Sequence, residues 1–327
     1  MGAEAPAPGE EGPPRWLDPM AATLARPDES PSGDWCFERK LDGVRVVAYC
    51  DGDDVRLLSR NRIRQEDVYP EVVDALRDGL ALPAVVDGEV VAFAGDVTSF
   101  ELLQQRMHVH DEARSRRSSV PVTYLAFDLL WLAGRDVRSL PWRDRRTLLE
   151  QVLEVDEVVR LTEVLEGDPD VLRARARAEG WEGLIAKRAD STYQGRRSRD
   201  WLKLKVVREQ EMVVVGFTEP SGGRLHLGAL LLGYHDGDRL RFGGKVGTGF
   251  TAAVLKDLRA RLDPLEVAVP PVDDPPREPT AHWVRPELVA QVGFGEWSAA
   301  GRLRHPRYKG LREDKDPAAV VREEPTA

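Results

Sequence analysis

Lys40 stands two residues ahead of an Asp-Gly pair in KLDGVR, and Arg45 follows at the start of an apolar, β-branched run. A lysine at such a turn can be a nucleophile, because its amine forms covalent intermediates once the ammonium has lost a proton. An unperturbed lysine, with a pKa near ~10.4, is neutral in only about one molecule in a few thousand at pH 7. Neighbouring cations improve that fraction, since like charges disfavour the protonated form. Arg45, Arg60, Lys203 and Lys205 are the expected crowd, and the same cations can neutralise a triphosphate. Taken alone, KLDG reads as a surface lysine before a hairpin turn. Six further motifs follow it in order: SRN (Ser59 to Asn61), DGE (Asp87 to Glu89), AFDLLWLAG (Ala126 to Gly134), EGLIAKR (Glu182 to Arg188), WLKLK (Trp201 to Lys205) and HPRYKGLREDK (His305 to Lys315).

Phosphoryl and nucleotidyl transfer need in-line positioning and charge neutralisation, usually with a divalent metal. Glu182, at the start of an apolar run and close to the basic Lys187-Arg188, is a candidate metal carboxylate. Glu89 stands in a turn-like Asp-Gly-Glu inside an apolar strand, and Asp87 reads as structural at that bend. Phe127 lies in a run that by itself reads as core.

These residues need elements to hold them. VRVVAYC, DGDD and VRLLS parse as strand, turn and strand. VVDALRDGL has helical spacing, with Pro70 confined to an early turn. AVVDGEVVAF and VPVTYLAFDLLWLAG read as strands, and a helix is predicted over Trp142 to Leu153. Asp168 as N-cap, Pro169 at the first helical position and Gly180 past the end punctuate a second helix. WEGLIAKRA and WLKLKVV are short strands, and the basic stretch DSTYQGRRSRD between them is a loop.

The character changes near Glu209. EMVVVGF, GALLLGYHDG, RLRFGGKVG and LVAQVGFGEWS are closely spaced strands with glycine turns, broken by one helix, TAAVLKDLRARL. Several short strands and a helix in one small domain fit an OB-fold barrel. Asp263 to Pro286 holds seven prolines and reads as a long extended loop. The division predicted is a disordered tail over 1–14, a first domain over 15–208 and a barrel over 209–327, with a hinge near Arg208. A chain of 327 residues supports two cores.

The net charge of −9 excludes a uniformly basic nucleic-acid coat, yet the basic residues are clustered. Lys187 to Arg208 carries eight Lys or Arg against two acids, and Gly301 to Lys315 six against two. Such local patches predict polyanion contact on one face, without sequence preference and sensitive to salt. No helix-turn-helix, zinc-finger spacing or aromatic-rich RNA-binding pattern is present. Cys36 and Cys50 are too few for a disulfide framework and predict core positions in a reducing compartment. No apolar run reaches the roughly 18–20 residues of a membrane span, and the Pro/Glu-rich start is no signal peptide. A cytoplasmic monomer is expected.

In order and spacing, the seven motifs resemble the covalent nucleotidyltransferases, and most closely the ligase domain of bacterial end-joining ATP-dependent DNA ligases of the ligase D type. The resemblance runs over about residues 16 to 316. It implies an α+β nucleotidyltransferase (adenylation) domain on antiparallel sheets with flanking helices, followed by the C-terminal OB-fold. It further implies ATP with Mg²⁺ or Mn²⁺, and AMP carried on Lys40. Arg45, Arg60, Lys203 and Lys205 are implied at the phosphates, Glu182 and Glu89 at the metal, and Glu89 also at the ribose. Phe127 and Ile185 are implied on opposite faces of adenine, Glu38 at its edge, and Arg312 and Lys315 at the pyrophosphate.

The implied substrate is nicked double-stranded DNA in a bacterial cytoplasm, at the nucleoid during repair. Ku and separately encoded polymerase and nuclease subunits are the implied partners. An RNA ligase or a GTP-using capping-type enzyme shares KxDG, and a decayed OB-fold binding module is the non-enzymatic alternative. The latter predicts a broken motif, and none is found. The chain reads as a stand-alone ligase or an excised ligase domain, and Met1 before a Pro/Glu-rich tail favours the former.

Overall fold

A computed structural model of the chain describes residues 12–26, 29–107, 109–220 and 225–323, and the predicted tail lies outside them up to residue 11. The chain divides into two units, with the break between Val207 and Arg208.

The first unit is two sheets with an apolar layer between them and a further one on the outer face of each. In strands, successive side chains point to opposite faces, and the strands Trp35–Arg39, Gly183–Arg188 and Arg197–Lys205 use this consistently. Phe37, Leu184, Ala186, Leu202 and Leu204 pack on one face against Leu172 and Ala176 of the helix Pro169–Ala178. The opposite face therefore carries Glu38, Ile185, Lys187, Trp201, Lys203 and Lys205. These strands form a five-stranded sheet in the order Ala21–Leu24, Arg197–Lys205, Gly183–Arg188, Trp35–Arg39, Val164–Leu165.

The second sheet runs Val159–Leu161, Thr123–Leu132, Ala84–Val91, Val44–Asp51, Asp54–Ser59, with Arg135–Asp136 on Thr123–Leu132. Val44, Val46, Ala48, Val86 and Val90 face a core closed by the helices Pro70–Gly79, Phe100–Met107 and Trp142–Val152. Val47, Tyr49, Val85 and Phe127 face the other way and meet Trp201 of the first sheet in a middle layer. Arg45 shares the parity of Val47, and Glu89 that of Val85, so both belong to this middle side. Lys40 falls where the chain leaves one sheet for the other.

Pairing is antiparallel except at two edges, where Ala21–Leu24 lies parallel to Arg197–Lys205 and Val159–Leu161 parallel to Thr123–Leu132. The first of these edges corrects the sequence reading of residues 190–200. The strand begins at Arg197, because Ala21 and Ala22 pair with Arg197 and Ser198, a partner far away in sequence. Asp168 caps its helix as predicted, accepting from the amides of Asp170 and Val171. The helix Phe100–Met107 has no counterpart in the sequence reading.

The second unit has the OB-fold architecture. Its main sheet runs Arg239–Val246, Leu230–Asp236, Glu209–Thr218, Ala281–Gly293, Glu266–Val267, with Arg307–Leu311 also on Ala281–Gly293. Thr251 caps the helix Ala252–Leu262, whose Leu255, Leu258 and Leu262 are buried. The proline-rich stretch is more ordered than expected: a 3-10 turn spans Asp263–Leu265, and the long strand begins at Ala281, ahead of Pro286. The register explains the tolerance. Leu288 pairs with Val214 and Trp283 with Gly216, so Pro286 sits in a bulge that requires no ladder donor.

One buried ion pair anchors the middle layer. Arg145 and Asp128 are both wholly buried and joined twice, at 2.7 and 2.9 Å. Arg145 also donates to the carbonyls of Leu140 (2.6 Å) and Ser191 (3.0 Å), tying the segment before Tyr193 to the residue that follows Phe127. Removing one partner leaves a buried charge uncompensated. Asp128→Ala is expected to lower the stability of the first unit by about 3–5 kcal/mol, read from urea unfolding by tryptophan fluorescence; an unchanged midpoint refutes the anchoring role.

Candidate active site

Two close backbone approaches set the position of Lys40. A Cβ on Gly43 would lie 2.3 Å from the Val90 carbonyl oxygen, and one on Gly183 2.3 Å from that of Leu204. Only glycine fits at either position, which gives the DG of KLDG and the EG of EGLIAKR a packing reason. Gly183 in turn accepts from the Lys40 amide at 2.9 Å. The Asp42 amide donates to Thr98 Oγ1 at 3.2 Å. With both strand mouths fixed, the Lys40 Nζ donates to Glu182 Oε2. The lysine side chain is 19% exposed and the carboxylate 7%. Lys205 Nζ lies 3.9 Å from the other oxygen of Glu182.

This arrangement reverses one expectation. The sequence predicts a crowd of cations that drives Lys40 toward its neutral amine. Burial does push that way, but Glu182, Asp42 and Glu89 outweigh it and hold the ammonium well above its ordinary lysine value. The reason is partly topological: strand pairings bring the segments of Glu182 and Glu89 to the group, while Asp42 lies two residues along the chain. Sequence counting registered the cations and missed their competitors.

Glu38 and Ile185 are directly paired across neighbouring strands, as are Ile185 and Lys203. Phe127 faces them from the second sheet and is buried. Lys187 joins this group, which corrects its assignment to a surface basic patch: it is 1% exposed. Its Nζ lies 2.9 Å from Glu38 and 3.2 Å from the Phe127 carbonyl. The same nitrogen stands 4.5 Å from the Phe127 ring centroid, 4.6 Å from Trp201 and 5.5 Å from Trp142. Burial lowers its pKa, against Glu38 and Asp128, which raise it. Strand parity is the clue, because Lys187 is two residues from Ile185 on a strand whose odd positions face the middle layer.

Arg45 is fully engaged inside the protein. It makes a double contact with the buried Asp87, at 2.9 and 2.5 Å, and donates to the Met20 carbonyl at 2.5 Å. Burial works against its charge, but Asp87 holds the guanidinium firmly protonated. Tyr193 completes the network: its hydroxyl donates to Asp87 at 2.6 Å and accepts from the Met20 amide at 2.8 Å. Burial and Asp87 push that phenol well up, so it remains a donor. Tyr193 was not singled out from the sequence. Glu89 lies opposite Arg45 in the strand register, and Arg60 occupies the exposed turn after Asp54–Ser59.

Other predicted cations have protein partners. Arg197 donates to the Ala22 carbonyl and Arg199 to Glu29, at 2.6 and 2.5 Å. In the second unit, Arg312 is buried and makes two 2.8 Å bonds to Asp314. Burial raises the Asp314 pKa, but Arg312 and then Lys315 bring it below the ordinary carboxylate value. Lys315 lies 3.0 Å from Glu211.

Among the described residues, no cluster of three or more His, Cys, Asp or Glu could enclose a metal. The Glu182 and Glu89 carboxylates beside Lys40 still fit Mg²⁺ or Mn²⁺, as hard oxygen donors. Mg²⁺ is commonly held by one or two carboxylates with water and substrate phosphates.

Comparison with known proteins bears on this geometry. Residues 19–205 match the family described as ATP dependent DNA ligase domain, and residues 223–315 its C terminal region. The chain is 40% identical over 322 residues to the multifunctional non-homologous end joining protein LigD of Pseudomonas aeruginosa, covering 95% of this chain and 37% of that one. The Mycobacterium tuberculosis LigD is 39% identical over 313 residues, at 94% and 40% coverage. The chain thus spans well under half the length of these curated relatives. A mycobacterial DNA ligase D complexed with ATP and MES superposes with a TM-score of 0.67 at 36% identity, covering 94% of this chain and 98% of that one. The ligase domain of M. tuberculosis LigD gives 0.50 at 37% identity, with the same coverage.

Glu182 carries the site's first test. In Glu182→Gln the main charge holding the Lys40 proton is gone while burial remains, so the amine deprotonates at lower pH. Acylation of Lys40 by an amine-reactive reagent, followed by mass spectrometry across pH, is expected to show the variant's midpoint about 1–3 pH units below wild type. Coincident profiles contradict the pairing.

Proposed function

The chain belongs to the ATP-dependent DNA ligase family, and from that membership we propose that it seals 5′-phosphate/3′-hydroxyl nicks in double-stranded DNA through a covalent Lys40–AMP intermediate. The observation that carries the reading is the Lys40 amine at the junction of two sheets, against Glu182 and beside Lys205. Phe127, Ile185 and Glu38 sit on the adjoining middle faces.

In the first step neutral Lys40 Nζ attacks the α-phosphorus of ATP. The N–P bond forms, the bond to the β-phosphate oxygen breaks, pyrophosphate leaves, and the amine gives its proton to solvent. An oxygen of the DNA 5′-phosphate then attacks the AMP phosphorus and breaks the N–P bond, and the leaving nitrogen takes a proton from solvent to restore the Lys40 amine. Finally the 3′-hydroxyl attacks the DNA 5′-phosphorus, expels AMP and loses its proton.

Each group has a task consistent with its place. Burial favours the Lys40 amine, and the hold on its proton loosens as Glu182 turns to other cations, Lys205 among them. Lys203 and Lys205 lie on the strand beside Gly183–Arg188 and are assigned to the phosphates with Arg60. Arg45, fixed by Asp87 and Tyr193, is a preset charge rather than a searching one. Phe127 and Ile185 are assigned to the faces of adenine, Glu38 to its edge and Glu89 to the ribose. Glu182 and Glu89 are the residues assigned to Mg²⁺ or Mn²⁺, which when bound neutralises charge on the reacting phosphates. Arg312 and Lys315 are assigned to pyrophosphate.

The likeness to LigD supports a role in bacterial DNA repair by end joining, in the cytoplasm and at the nucleoid, with Ku and polymerase and nuclease activities as partners. No helix among the described residues is long and apolar enough to cross a membrane. Incubation with ATP and Mg²⁺ or Mn²⁺ is expected to add the mass of one AMP at Lys40, and to seal a nicked duplex in a salt-sensitive manner. Lys40→Ala is expected to abolish both, and wild-type labelling of that variant defeats the mechanism. Faster sealing of nicked RNA than nicked DNA favours an RNA ligase instead.

A further inference from the structure

The buried Lys187–Glu38 pair does work that the reaction steps above leave unassigned. A lysine ammonium deep in a protein must be paired, since desolvation of the charge is costly. Here the pairing is unusually constrained. Three aromatic rings surround Nζ within 5.5 Å, and the Phe127 carbonyl accepts from it. That fixes the ammonium. Both oxygens of Glu38 then lie 2.9 Å from it, and Arg146 stands 3.9 Å from Oε1. Glu38 is only 2% exposed, so its carboxylate has little freedom to reorient.

We propose that Lys187 is a positioning residue that sets nucleotide choice, by fixing the Glu38 carboxylate as an acceptor for the exocyclic amine of a 6-aminopurine. The inference rests on the reading that Glu38 faces the adenine edge. An ionised carboxylate has about four lone-pair sites, so one ammonium leaves capacity for a further donor. A 6-oxopurine such as guanine presents an acceptor at that position, and a purine without the amine presents nothing. Both leave the fixed carboxylate without its added partner, and a site built around a donor discriminates strongly against its loss. Lys187 also donates to the Phe127 backbone, so one ammonium ties the base-edge group to the residue that supplies the stacking ring.

The test compares kcat and KM for Lys40 adenylylation with ATP, GTP and purine riboside triphosphate, which lacks the 6-amino group. Wild type is expected to prefer ATP over purine riboside triphosphate by about 10- to 100-fold in kcat/KM. Lys187→Met and Glu38→Gln are each expected to shrink that ratio to about 3-fold or less, with the loss in KM. Lys187→Arg, which keeps a cation among the rings, is expected to restore most of the ratio. Thermal melting establishes that each variant folds; if Lys187→Met does not, Lys187→Gln, neutral but still a donor, carries the same comparison. A folded neutral variant that keeps the wild-type ratio while Glu38→Gln loses it overturns the role of Lys187 and leaves the Glu38 reading standing. Full discrimination in Glu38→Gln removes the Glu38 reading, and the proposal with it.

Discussion

The proton on Lys40 is the constraint around which the first unit is arranged. Burial favours the amine, while Glu182, Asp42 and Glu89 favour the ammonium and prevail. The group is thereby held as an ammonium beside Glu182. Glu182 is itself placed by a glycine that can approach the Leu204 carbonyl, so the charge state of Lys40 depends on backbone packing two strands away. Since the folded ammonium titrates above an ordinary lysine, the stabilisation from this pair is present at neutral pH. It is lost only as pH rises through the elevated value, far into the alkaline range.

The remaining cations of the site are engaged by the protein's own groups. Arg45 is locked between Asp87, Met20 and Tyr193, and Lys187 between Glu38 and three rings. Such charges lose little conformational freedom when a ligand arrives, because their side chains are already ordered. Lys205 lies 3.9 Å from Glu182, and Lys203 pairs with Ile185 in the strand register. In the second unit Arg312 is held by Asp314 in the same manner as Arg45 by Asp87.

Much of this was legible in the sequence because the motifs are local. KLDG, EG and WLKLK each carry the glycine or the alternation that their strands need, and Asp168, Pro169 and Thr251 mark helix starts directly. What local reading misses is whatever depends on a distant partner. The parallel edge that extends the strand back to Arg197 has its mate near residue 21. The bulge that admits Pro286 is set by the register with Val214 and Gly216. The protonation of Lys40 was misjudged for the same reason: Glu182 is 142 residues away in the chain. Lys187 was counted as surface because residue type outweighed strand parity.

The order of strands in the first sheet also has a consequence in time. Trp35–Arg39, which leads into Lys40, is bordered on one side by Gly183–Arg188 and then by Arg197–Lys205. Lys40 is therefore synthesised early and its surroundings late. At roughly 5–20 residues per second, the 165 residues from Lys40 to Lys205 leave the ribosome on the order of ten to thirty seconds after the lysine itself. For most of that interval the nascent chain lacks Glu182 for Lys40 and Lys187 for Glu38, and the sheet stays unfinished to its end. The surroundings of Lys40 are thus completed only with the last strands of its unit.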